Sequence, residues 1–167
     1  MKITNVYPGI TPVAKTAPVL PEPVIETTFW DSETTGPRSP FGAAPPRDTL
    51  VEVAACNWRG ERIFTWLVNP ERPIGDAKKF HDITDEMLAA MPPFRVIAPA
   101  LETMAAGTTV VVWNRKHEMK FLGHQFRKAN VIDAMTRFAA IYGQYSTYHG
   151  SYTYQSLKTA MDFFGFQ

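Results

Sequence analysis

The chain has 167 residues, 45% of them hydrophobic, and a formal net charge of +1 at pH 7. That length suits one domain with a sizeable core, and the near-zero charge excludes a globally basic nucleic-acid binder, so a polyanion groove must be a local concentration of Lys and Arg. No apolar run approaches the roughly 20 residues that span a bilayer, and the N-terminus lacks a continuous apolar h-region.

Residues 1–25 hold five of the 14 prolines and no period of either kind. Proline at this density favours extended chain over helix or central strand. Residues 1–24 are expected to form an arm that hugs the surface or docks a partner, with the folded domain over 25–167.

Val24 to Trp30 is aromatic and β-branched and runs into a segment rich in Gly and Pro, which predicts a strand ending in a loop. Asp31 and Glu33 then fall two apart at its C-terminal end. They share one strand face, where their repulsion is costly unless hard cations such as Mg²⁺ or Mn²⁺ bridge them; an exposed acidic loop is the plainer alternative. In the loop from Gly36 to Arg47, Arg38 and Arg47 are placed to meet phosphates or simply to be solvated.

Thr49–Asn57 and Arg62–Asn69, joined by a short Gly-containing link, predict an antiparallel hairpin. Pro70 and Pro73 end the third strand. Asp76–Met91 has helical composition, with Thr84 as a cap, and Pro93–Ala106 has apolar residues near a 3.6 period, closed by Gly107. Thr108–Trp113 reads as a buried parallel strand, His117–Ala129 as a helix, Val131–Asp133 as a short strand, and Ala134–Tyr142 and Tyr154–Phe164 as helices. Cys56, the single cysteine, cannot form an internal disulfide and reads as a buried structural thiol in a reduced, intracellular compartment. The order βββαβαβαα argues for a mixed α/β domain.

Trp30 to Gly36 (WDSETTG) resembles the first motif of the DnaQ-like DEDD 3′–5′ exonucleases, the group that includes RNase T and proofreading subunits. Further similar stretches follow in family order: Asp48–Ala55, Leu67–Ile74, His81–Leu88 and Val112–Leu122. The resemblance implies an RNase H-like fold and a two-metal site for Mg²⁺ or Mn²⁺. Asp31 and Glu33 match the first two carboxylates. Glu118 falls on the third, which is usually Asp, and reaches one methylene further; its alternative is a solvated first-turn glutamate. His117 stands where the family usually has Phe, and Asp133 matches a supporting Asp.

The family's closing segment, His-x₄-Asp, has no match before Gln167; His149 and Asp162 do not occupy its places. The domain is therefore expected to be truncated at its C-terminus relative to the family. By resemblance the site residues are Asp31, Glu33 and Glu118, with Thr34, Thr35, Asn114, Arg115, Lys116 and Lys120 meeting nucleic acid. The expected substrate is the 3′ end of single-stranded DNA or RNA, hydrolysed weakly or not at all, in a cytoplasmic setting, away from membranes and open to a protein partner. A catalytically dead module that binds nucleic acid, a nucleotide or a protein is the alternative.

Overall fold

The computed structural model describes residues 27–36 and 48–166. The N-terminal arm and the segment with Arg38 and Arg47 lie outside the described residues. Strands β1 (Thr27–Thr34), β2 (Leu50–Asn57) and β3 (Arg62–Leu67) pair antiparallel, and β4 (Thr109–Val112) and β5 (Asn130–Asp133) pair parallel beyond β1. The sheet order is β3-β2-β1-β4-β5. This is the mixed, helix-flanked RNase H-like sheet that the sequence implies.

β1 alternates strictly: Thr28, Trp30, Ser32 and Thr34 are buried, while Phe29, Asp31 and Glu33 point the other way and are more open. The two-residue period of a strand thus divides one segment between a core face and an outer face. Trp30 anchors the core side, edge-on to Phe64 at 5.0 Å and to Phe126 at 5.2 Å, and its indole N–H is satisfied by Thr28 Oγ1 at 2.8 Å.

Between β3 and β4 the chain forms a 3-10 turn (Gly75–Ala77), two short helices, α1 (Lys78–His81) and α2 (Asp85–Leu88), and then α3 (Phe94–Ala105). Thr84 caps α2 by accepting from the Met87 N–H. Ile97, Leu101 and Ala105 of α3 join Val53, Val110 and Val112 in the main core. A smaller core gathers Val51, Leu67, Ile74, Ile83 and Leu88.

After β4, helix α4 (Arg115–Leu122) is shorter than the helix expected over 117–129. Turns take over at Gly123, where a Cβ would come within 2.5 Å of the Met119 carbonyl oxygen, and they deliver Phe126 to the core. Helix α5 (Ala134–Tyr142) starts at Asp133, which caps it through the Thr136 N–H. A small hairpin, β6 (Tyr145–Ser146) and β7 (Ser151–Tyr152), was not expected; α6 (Leu157–Phe163) follows it, starting three residues later than the periodicity suggests because Ser156 is its cap.

Leu101 is fully buried and Ile141 is 60% exposed. Leu101→Ala should lower unfolding free energy in urea by about 2–5 kcal/mol, while Ile141→Ala should stay within about 0.5 kcal/mol. Equal losses at the two positions would contradict this placement of the core.

Candidate active site

Antiparallel register sets Glu33 directly across from Glu52, and Asp31 across from Ala54. Directly paired residues project to the same side of a sheet, so Asp31, Glu33 and Glu52 crowd one patch of the outer face. Burial raises the Asp31 carboxyl above its ordinary range, although its outer side keeps solvent access; the Ser32 backbone and His117 pull it back. Burial, then repulsion from Asp31 and Glu52, pushes Glu33 up to about 7. Glu52 is raised by burial and by Asp31, with Arg62 opposing. Glu52 was not singled out from the sequence. Its signal was the alternation of β2, in which Val51, Val53 and Ala55 are buried and Glu52 must face the other way.

The third expected carboxylate sits differently. Asn114 adopts a left-handed backbone (φ 67°) and caps α4, its side chain accepting from the His117 N–H at 3.3 Å. One turn into the helix, Glu118 is 2% exposed and accepts a 2.7 Å bond from Ser32 Oγ. Burial drives its carboxyl up to about 8; the Ser32 bond opposes this, while Asp31 and Glu33 add to it. Glu118 therefore feels the acidic pair but is engaged by the buried side of β1.

Among the described residues, no three His, Cys, Asp or Glu side chains are gathered closely enough to hold a metal ion. The chemistry of the donor set nonetheless fits a hard divalent cation. It consists of crowded carboxylates, each held above its ordinary pKa and each offering only oxygen.

Of the residues expected to meet nucleic acid, Thr34 donates to the Gly36 carbonyl at 3.0 Å, and Thr35 donates to Asp48 at 3.2 Å while accepting from the Thr49 N–H. Both are buried and tie down the start of the loop. Arg115 and Lys116 line a cleft of about 610 Å³ with Asp133 and Arg137, and neither Asp31 nor Glu33 lines it. Lys120 lies near His117, whose imidazole is held below its usual pKa by burial and by that ammonium. Asp133 accepts from the Arg115 N–H as well as capping α5. Its role is structural here.

Two further cavities flank the carboxylates. One, of about 580 Å³, is lined by Glu33, Thr35, His81 and His117 among others. The second is an apolar groove of about 740 Å³ on the outer face. Phe29, Ala54, Cys56 and Val111 belong to the sheet side of its lining, Leu157 and Phe164 to the α6 side, and Asp31 and Glu52 also line it.

A family model described as exonuclease, the RNase T family, matches residues 28–165. The DNA polymerase III subunit epsilon of Pasteurella multocida is 33% identical over 106 residues, which cover 60% of this chain and 42% of that protein. The same subunit of Haemophilus influenzae is 32% identical over 107 residues, 60% of this chain and 41% of its own length. An epsilon-like protein of Rhodobacter capsulatus is 32% identical over 136 residues, 72% of this chain and 18% of that one. The chain thus spans less than half the length of these curated relatives. The family match runs from the second residue of β1 to just past the last turn of α6, so it takes in the whole described fold, and the chain belongs to the exonuclease family of RNase T, the DnaQ-like group whose motifs it carries.

Proposed function

We propose that this domain hydrolyses phosphodiesters at the 3′ ends of single-stranded nucleic acid, in the 3′–5′ direction, with two Mg²⁺ or Mn²⁺ ions. The observation that carries the reading is the Asp31–Glu33 pair on one face of β1, with Glu118 near enough to feel both charges, in a member of an exonuclease family. These three side chains would hold the cations, which when bound supply positive charge for the reacting phosphate and acidify a water.

Glu118 must leave Ser32, or share its carboxylate between Ser32 and a cation, to take part. Arg115, Lys116 and Lys120 give α4 its local positive charge for phosphate contact, and Thr34, Thr35 and Asn114 hold the backbone beside the acids. The setting we propose is cytoplasmic, and the names of the polymerase-subunit relatives favour work within a protein assembly. No helix among the described residues is long and apolar enough to cross a membrane.

Without a positioned general base beside the carboxylates the domain should hydrolyse weakly. His149 lies in the exposed turn between β6 and β7, and His117 packs against Phe121 with ring centroids 5.2 Å apart while lining the cavity beside Glu33. A general base contributes typically ~10²–10⁴-fold. The engagement of Glu118 with Ser32 favours the second reading, a binding module that keeps the fold without turnover.

Mn²⁺ at about 100 times its dissociation constant should raise the melting temperature by about 5–10 °C. The double substitution Asp31→Ala, Glu33→Ala should abolish that rise, and an undiminished rise would remove the metal site.

Without divalent ions the sign of the pH dependence follows from the raised carboxyls. Folding takes up protons, so their contribution is most favourable below the ordinary value of 4.5 and is lost as pH climbs through about 7 for Glu33 and about 8 for Glu118. Melting in EDTA should show stability falling across that window. Glu118→Gln, which keeps an acceptor for Ser32, should flatten the fall; parallel curves would refute the assignment.

Appending a family-like segment with His-x₄-Asp should raise Mn²⁺-dependent digestion of labelled single strands far more than Glu118→Asp alone. Brisk digestion by the unextended chain, lost in Asp31→Ala, would show that the base is dispensable or comes from another residue.

A further inference from the structure

Three carboxylates meet on the outer face, and one of them has no part in the reading above. Glu52 belongs to β2, the strand between β1 and β3, and stands directly opposite Glu33 in antiparallel register. Such partners have Cβ atoms about 4.5–5.5 Å apart, well within the reach of two glutamate side chains. Asp31 lies on the diagonal, two residues along β1, and its repulsion is the strongest charge effect that Glu52 feels. Glu52 is half-buried, and no hydrogen bond engages its carboxyl among the described residues.

The fold gives Glu52 no packing reason to be there. On the open face of β2 its neighbours Ala54 and Cys56 are small and apolar, glutamate is disfavoured in strands, and like charges directly opposite one another destabilise a sheet. Arg62 opposes that repulsion but pairs with Cys56, four residues further along β2. The three acids also divide between two openings. Asp31 and Glu52 line the apolar groove together, whereas Glu33 lines the separate cavity with Ser32 and His117. Asp31 thus has two differently placed acidic partners.

We propose that Glu52 is a further metal-holding residue, which joins Asp31 to bind the second divalent cation while Asp31 and Glu33 bind the first. This rests on the nuclease reading and adds to it an oxygen donor from β2. Two hard cations need more oxygen ligands than one acidic pair supplies, and a carboxylate has two oxygens, so Asp31 can serve both ions. Without an ion the three carboxyls stand apart, as like charges do. Closing on a cation requires only side-chain rotation, because the strand ladders already fix the backbone positions.

The experiment counts Mn²⁺. Titrated into the full 167-residue chain at neutral pH, with free Mn²⁺ read from its aqueous EPR signal, the ion should fill two sites. Glu52→Gln keeps the length of the side chain and should leave one site intact while weakening the other by about 100-fold. Its melting temperature in EDTA should be no lower than that of the parent chain, because a like charge has been removed; this separates loss of a ligand from loss of fold. Glu52→Asp, which keeps the charge and shortens the reach, should weaken the second site less than Glu52→Gln does. A Glu52→Gln chain that keeps both ions or loses both, or a parent chain that binds only one, would overturn the role of Glu52 and leave the nuclease reading standing. A parent chain that binds no Mn²⁺ would overturn both.

Discussion

The site rests on the two-residue period of β1. A strand buried on one side must send alternate residues to the other, and here Trp30 and Ser32 go inward while Asp31 and Glu33 go outward. Tight packing of Trp30 between Phe64 and Phe126 fixes that choice, since a slip of one residue would drive Asp31 into the core and expose the indole. The charge crowding outside is thereby held in place by apolar packing inside. Antiparallel pairing then adds Glu52 opposite Glu33, so the core that stabilises the sheet also concentrates like charge at its open end.

The Ser32–Glu118 bond joins the two faces of that arrangement. Ser32 belongs to the inward set of β1, yet its hydroxyl reaches a carboxyl on α4 that still feels Asp31 and Glu33. A buried carboxylate in this position is costly unless protonated, hydrogen-bonded or paired with a cation. The Ser32 hydroxyl meets part of that need, and burial pushes the carboxyl up to about 8.

Much of this was readable in the sequence, for reasons that differ by element. The first hairpin, α3 and β4 have strong periodicity, and the apolar period of α3 prevailed even over Pro99, whose position inside a helix costs about 3 kcal/mol. Helix α4 was overextended because Phe126 falls on its apolar face; the steric limit at Gly123 belongs to the backbone and is invisible to hydrophobic patterning. β6 and β7 have two residues each, too few for any period to show. Asp31 and Glu33 were legible as a pair because strand alternation alone sets them side by side. Glu52 needed the register between two strands, and the turning of Glu118 toward Ser32 needed side-chain geometry.

The basic residues show why a linear motif is a poor guide to a surface. Arg115 and Lys116 flank Glu118 in sequence, but a helix turns 100° per residue, so Lys116, two residues away, looks in a nearly opposite direction and Arg115, three away, is offset by about 60°. Glu118 turns inward to β1, whereas Arg115 and Lys116 line the cleft shared with β5 and α5. Asp133 reinforces that division by accepting from the Arg115 backbone N–H while capping α5, which ties the first turn of α4 to the edge of the sheet.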